Sequence, residues 1–291
     1  MSTLKGLISV LLLIFNTLFW GVPLVALTAL KLITPTRHWR LRILGGLHRI
    51  ALAWIRTNNV WIRYWIHPQI RADIPETLSP HQWWLMIANH QSWTDIMVML
   101  YVLTGRASMP KFFLKRELIL VPIVGLAWWA LEFPFMRRYS REKLTRNPKL
   151  AERDRQATQR MCEHAREMPM TIYNFVEGTR FTKQKQHRQG SPYRHLLRPK
   201  AGGIAQVISL LGPRLDGILD VTLHYRRSTP NFWDFLCGRE SEVAISVRCL
   251  DRPEWMLEGR YGDAQYKERF YTWLNSLWQE KDAALSSYCW D

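Results

Sequence analysis

The hydrophobic pattern opens with one unbroken run. No charged residue interrupts the chain from Gly6 to Leu30, and a helix of that length reaches ~38 Å against a hydrocarbon core of ~30 Å. The run predicts a helix long enough to cross a bilayer, with Gly21 and Pro23 as places where it could kink and half-insert. From Arg37 to Ile66 the pattern changes: Leu41, Leu44, Leu47, Trp54, Ile55 and Trp65 interleave with Arg40, Arg42, Arg49, Arg56 and Arg63. That spacing suits a helix lying among lipid headgroups, or one packing its apolar side on a globular domain. Beyond it, short apolar runs alternate with amphipathic stretches, which predicts an α/β domain. Predicted strands are Trp83–Ala88, Phe112–Leu114, Met170–Val176, Gly217–Leu223 and Glu242–Cys249; predicted helices are Thr94–Leu103, Pro148–Arg166, Lys200–Leu210 and Asp263–Ser286. In the last helix Phe270, Trp273, Leu274, Leu277 and Trp278 recur at spacings of three and four and read as core. The expected division is N-terminal membrane-anchoring helices over 1–66 and the α/β domain over 67–291.

Charge narrows the partners. Lys and Arg number 40 against 24 Asp and Glu, a formal charge of +16, which favours anionic partners. The 15 tryptophans weigh toward lipid over nucleic acid, and no nucleic-acid recognition motif is present. Lys31, Arg37, Arg40 and Arg42 follow the apolar run, so the positive-inside rule places the rest of the chain in the cytoplasm. Cys162, Cys237, Cys249 and Cys289 show neither zinc spacing nor a disulfide framework, and no metal or organic cofactor is expected. The segment Leu126–Met136 is apolar enough for a buried helix or the wall of an acyl-chain tunnel. Thr182 to Lys200, rich in Lys, Arg and His, reads as a polar loop, either solvated or meeting anionic headgroups or donor phosphates.

Two segments carry chemistry. In Asn89-His90-Gln91-Ser92-Trp93-Thr94-Asp95, a histidine leaves a strand and a carboxylate enters the next helix, with Ser92 or Thr94 as N-cap. One continuous helix would point His90 and Asp95 apart, whereas a turn between them brings the carboxylate onto one imidazole nitrogen. The other nitrogen is then free to take a proton from a hydroxyl. The alternative is a strand-end histidine satisfied locally. In Glu177-Gly178-Thr179-Arg180, again after an apolar strand, Gly178 lets backbone approach a ligand, Thr179 offers a hydroxyl and Arg180 a planar fork for phosphate. Alone it reads equally well as a surface turn.

Together, His90-x-Ser92-x-x-Asp95 and Glu177-Gly178-Thr179-Arg180 resemble the glycerolipid acyltransferases of the 1-acylglycerol-3-phosphate type. Phe113-Leu114-Lys115-Arg116-Glu117-Leu118 with Pro122, Gly125 and Arg138 is similar to that family's second block. Leu197 to Gly203 and Asp220-Val221-Thr222-Leu223-His224-Tyr225 resemble the long-form, lysocardiolipin-type branch; Val176 departs from it, standing where many relatives carry proline. The resemblance implies a mixed sheet flanked by helices and N-terminal helices seated on a bacterial inner membrane. It implies acyl transfer from a thioester to the free hydroxyl of a lysophospholipid, with His90 as base and Asp95 as its orienting partner. Glu177, Gly178, Thr179, Arg180, Lys115 and Arg138 would bind substrate, Glu177 through a hydroxyl or by fixing its loop. The donor is acyl-CoA or acyl carrier protein, with the long-form likeness leaning to coenzyme A. The competing reading is a catalytically idle protein that binds anionic lipid at the membrane surface. The sequence leaves the headgroup, the acyl-chain length and the oligomeric state open.

Overall fold

The computed structural model describes residues 2–136, 156, 158, 159, 162, 163, 168–226, 229–239, 242–259, 263–288 and 290. Two long helices come first, α1 (Ser2–Ile33) and α2 (Arg37–Trp61), the second running into a π-turn at Ile62–Ile66. The strands are β1 (Gln69–Asp73), β2 (Trp84–Ala88), β3 (Met109–Phe112), β4 (Leu114–Lys115), β5 (Phe135–Met136), β6 (Met170–Phe175), β7 (Gly217–Tyr225) and β8 (Glu242–Leu250). Between and after them lie α3 (Thr94–Leu103), α4 (Val124–Ala130), α5 (Lys183–Gln189), α6 (Gly202–Leu211), α7 (Phe232–Leu236), α8 (Trp255–Glu258) and α9 (Ala264–Ser287).

Six strands form one mixed sheet in the order β1-β8-β7-β2-β6-β3. All pairs are parallel except β7 with β8. Every residue of the central strand β2 is buried, as expected of a strand covered on both faces. Side chains alternate between two cores. Leu85, Ile87, Ile172 and Ile218 face α6 and α9, while Met86, Ala88, Tyr173 and Leu219 face α3. Phe270, Leu274, Leu277 and Trp278 of α9 are buried in the first core, with Trp273 packed against it.

Two expectations shift, and one strand, β1, was not expected at all. The predicted strand Phe112–Leu114 begins earlier, as β3, and its end becomes the separate β4, paired with β5. Pro110 and Lys111 disguised it: the sheet edge tolerates proline, and Lys111 is buried, donating to Leu131 O and lying 3.3 Å from His48 Nε2 on α2. β1 is mostly exposed and polar and is held by its parallel backbone pairing to β8. The segment expected as a polar loop contains α5, N-capped by Thr182, whose side chain accepts from Lys185 N. The predicted helix Pro148–Arg166 falls largely outside the described residues.

The two long helices form an antiparallel hairpin, pinned by Asn16 Nδ2 to Asn58 Oδ1 at 2.9 Å and Trp54 Nε1 to Thr17 Oγ1 at 3.1 Å. The inward face of α1 is small or polar, with Gly6, Ser9, Asn16, Gly21 and Thr28 buried, while Leu11, Phe15, Leu18, Val22 and Ile33 point outward. A soluble helix has the opposite polarity; this arrangement suits a helix packed on protein and facing lipid. Both ends of α1 touch the α/β domain: Arg239 Nη2 donates to Ser2 Oγ at 3.0 Å, and Lys31 meets Glu132 at 2.6 Å.

Candidate active site

β2 and β6 lie side by side and parallel, with Ala88 opposite Phe175. The two chemistry-bearing segments therefore leave the same edge of the sheet, where ligands bind in open α/β folds. Phe181 N donates to His90 O at 2.7 Å and ties the two segments together.

Residues 89–93 are not helical, and that turn brings Asp95 back to His90. Asp95 Oδ2 lies 2.8 Å from His90 Nδ1 and accepts from Gln91 N at 2.6 Å and Ser92 N at 2.9 Å. Its other oxygen accepts from Tyr225 Oη at 2.6 Å. A fully buried carboxylate with this many partners is fixed in place and cannot swing. Ser92 serves the helix start from one position before the cap, its hydroxyl accepting from Thr94 N at 3.1 Å. The imidazole stacks on Phe175, centroids 3.9 Å apart. With Nδ1 on the carboxylate, the neutral ring carries its lone pair on Nε2, the state a general base needs.

Glu177 sits behind this couple. Its side chain is fully buried, Oε1 accepting from His90 N at 3.3 Å and Oε2 from Leu197 N at 3.4 Å. Burial pushes its pKa up to about 8, against a partial opposing pull from those two amides. Of the two roles expected for Glu177, a substrate hydroxyl or its own loop, the geometry fits the second: the side chain clamps two loops and is not among the residues lining the cavity. Gly178 takes φ +71°, a left-handed conformation that disfavours a side chain. Thr179 Oγ1 accepts from Lys185 Nζ at 2.9 Å, and the Arg180 guanidinium lies 5.4 Å from the centre of the Trp93 ring. Lys115 leaves the end of β4. Arg138 lies outside the described residues.

His90, Gly178, Thr179, Arg180 and Lys115 all line one cavity of about 710 Å³. Away from these polar groups its walls are apolar, with Trp20 and Leu24 from α1, Trp54 from α2 and Trp128 from α4 among them. In the apolar segment Leu126–Met136, Leu131 and Phe133 lie beyond the end of α4, are buried in a core cluster and also border the cavity. Among the described residues, no group of three or more His, Cys, Asp or Glu is placed to hold a metal.

Sequence reasoning missed three contributors. Tyr225 was visible only as the last residue of a family block, with nothing to connect it to Asp95. Lys185 looked like one charge in a basic run. The part of α1 and α2 in the cavity wall was masked by their look of a plain anchor.

The family model described as Acyltransferase matches residues 69–226, more than half of the chain. The chain belongs to the acyltransferase family. Among curated relatives, this acyltransferase is 30% identical over 190 residues to mouse 1-acyl-sn-glycerol-3-phosphate acyltransferase gamma, covering 61% of this chain and 45% of that one. It is 26% identical over 246 residues to the rat delta enzyme, covering 78% of this chain and 59% of that one. It thus spans about half the length of the curated relatives it matches. Among solved structures, the 1-acyl-sn-glycerophosphate (LPA) acyltransferase PlsC from Thermotoga maritima superposes with TM-score 0.54 at 16% identity, covering 100% of both chains. That likeness carries the fold: a mixed α/β sheet flanked by helices, preceded by a long apolar helix.

Proposed function

We propose that this protein moves a fatty acyl group from an acyl thioester to the free hydroxyl of a lysophospholipid such as 1-acylglycerol-3-phosphate. The observation that carries this reading is a His–Asp couple opening, beside Arg180, onto a long apolar cavity. His90 Nε2 takes the acceptor hydroxyl's proton as its oxygen attacks the thioester carbonyl carbon. The tetrahedral intermediate collapses, the carbon–sulfur bond breaks, and the imidazolium returns its proton to the departing thiolate. Asp95 fixes the tautomer and stabilises the imidazolium. No acyl-enzyme is required, because the acceptor brings its own nucleophile. Arg180, with Thr179 and the Gly178 backbone, holds the acceptor phosphate, and Lys115 and Arg138 add charge. The apolar cavity takes the acyl chain. Acyl-CoA is the favoured donor and acyl carrier protein the alternative; no metal or resident cofactor takes part.

The same reading seats the protein on the cytoplasmic face of a membrane, a bacterial inner membrane in that proposal. The helix α1 is long and apolar enough to cross a bilayer. Its contacts with the α/β domain at both ends favour lying in the plane of one leaflet, outward face in lipid. The test is mass spectrometry of products from purified protein, labelled acyl thioester and a panel of lysophospholipids. A diacyl product with wild type and none with His90→Ala supports the proposal. Lipid binding with no product from either leaves the idle surface binder.

A further inference from the structure

The stretch after β4 faces two ways. Leu118, Ile123 and Val124 line the apolar cavity from within, while Ile119, Leu120 and Val121 turn out of the protein, Leu120 with 81% of its surface exposed. Three consecutive outward apolar side chains, flanked in sequence by residues that line the cavity, are not explained by folding. Nor is the stretch slack. Ile123 adopts φ 61°, ψ −54°, and Val124 N donates to Pro122 O at 2.6 Å, a γ-turn that β-branched residues avoid. The turn is held from outside: the Ile123 side chain fills the notch left by Gly21 on α1, where an added Cβ would stand 2.8 Å from its Cγ2.

We propose that Ile119-Leu120-Val121 is a second membrane-insertion point, distinct from α1, which brings the cavity wall itself into an anionic bilayer. Two features select that partner. The tip continues the apolar surface of α1, since Leu18, Val22 and Val25 around the Gly21 notch are also exposed, and Trp129 on α4 is half-exposed beyond it. Lys115 and Arg116, set against the single acid Glu117, are exposed at the base of the tip, where phosphate headgroups would meet them. An apolar tip over a cationic base matches the depth profile of a leaflet. The inference rests on the reading of a membrane-seated acyltransferase and adds where the seat lies.

Two measurements on the full chain test it. Amide hydrogen exchange of the unmodified protein, with and without phosphatidylglycerol-containing vesicles, should show vesicle-dependent protection over 116–123 as well as over α1. An environment-sensitive fluorophore at Leu120→Cys, in a chain whose own cysteines are replaced by alanine, should shift to the blue on the same vesicles. A matched probe at Leu11→Cys reports α1. Leu120→Asp should lower turnover of vesicle-borne acceptor by about tenfold, the partition value of one buried leucine, and leave turnover in detergent micelles unchanged. Protection and a blue shift at α1 but not at 116–123 overturn the proposal and leave the membrane-seated reading standing. No response at either site overturns both.

Discussion

Replacing Glu177 with glutamine tests whether its buried carboxyl is a structural clamp that titrates. The perturbation is small in shape but removes the ability to ionise. In the folded protein the pKa stands at about 8 against an ordinary 4.5. Below pH 4.5 the group is protonated folded and unfolded alike. Between 4.5 and about 8 only the folded chain keeps the proton, so stability falls as pH rises through that window, and above about 8 the loss is complete. The full cost of the buried anion is on the order of 2–5 kcal/mol, the smaller figure if water enters behind the loop. Lys111 complicates the raw curve: burial pushes its pKa down to about 7, so its own contribution rises with pH above that value. The difference between wild type and Glu177→Gln isolates the carboxyl. Unfolding free energies measured from pH 5 to 9 in matched micelles should converge at the acid end. Toward pH 9 the variant should gain relative to wild type. Curves that run parallel across the range would refute a titrating clamp. Acyl transfer should fall in step at high pH in wild type, because the new anion lies beside Asp95 and the His90 amide.

Other expectations follow from the same geometry. Arg180→Lys keeps the charge but loses the planar fork, so the KM for lysophospholipid should rise while that for thioester stays; steady-state kinetics varying each substrate separately decides this. A rise confined to the thioester KM would move Arg180 to the donor. Tyr225→Phe deletes one donor to a buried carboxylate, a loss of about 1.5–3 kcal/mol. It should lower kcat by about tenfold or more with little change in either KM, and wild-type kcat would remove Tyr225 from the dyad's support. Deleting residues before Arg37 should weaken vesicle binding and, because Trp20 and Leu24 line the cavity, also lower turnover of long-chain more than short-chain donors. An unchanged chain-length profile would show that α1 is anchor alone.

Much of the site was legible because its chemistry is local. The turn from His90 to Asp95 spans six residues, and residue types with strand endings were enough to foresee the contact. The alternating cores of β2, β6 and β7 were legible for the same reason, since apolar strands write their burial directly into sequence. What escaped was decided by distant partners. β1 is polar because β8 holds it through backbone bonds that no side chain announces. Lys111 reads as surface, yet Leu131 O and His48 receive it in the interior. Glu177 directly precedes Gly178, Thr179 and Arg180 in sequence, yet it is turned inward by the amides of His90 and Leu197. Tyr225 reaches Asp95 across 130 residues of chain.

The parallel pairing of β2 with β6 has a consequence for how such sites vary. Neighbouring strands stand ~4.8 Å apart whatever the chain does between them. The proposed base and the proposed phosphate grip are thus set by a ladder of backbone bonds, and the length of the intervening connection does not set their separation. Insertions or deletions in the connection that preserve both strands, and the stretch 109–136 that supplies Lys115 and part of the cavity wall, leave His90 and Arg180 where they were. A one-residue slip within either strand would turn every side chain over and dismantle the site. Related chains should therefore differ freely in the length of that connection while holding strand register fixed.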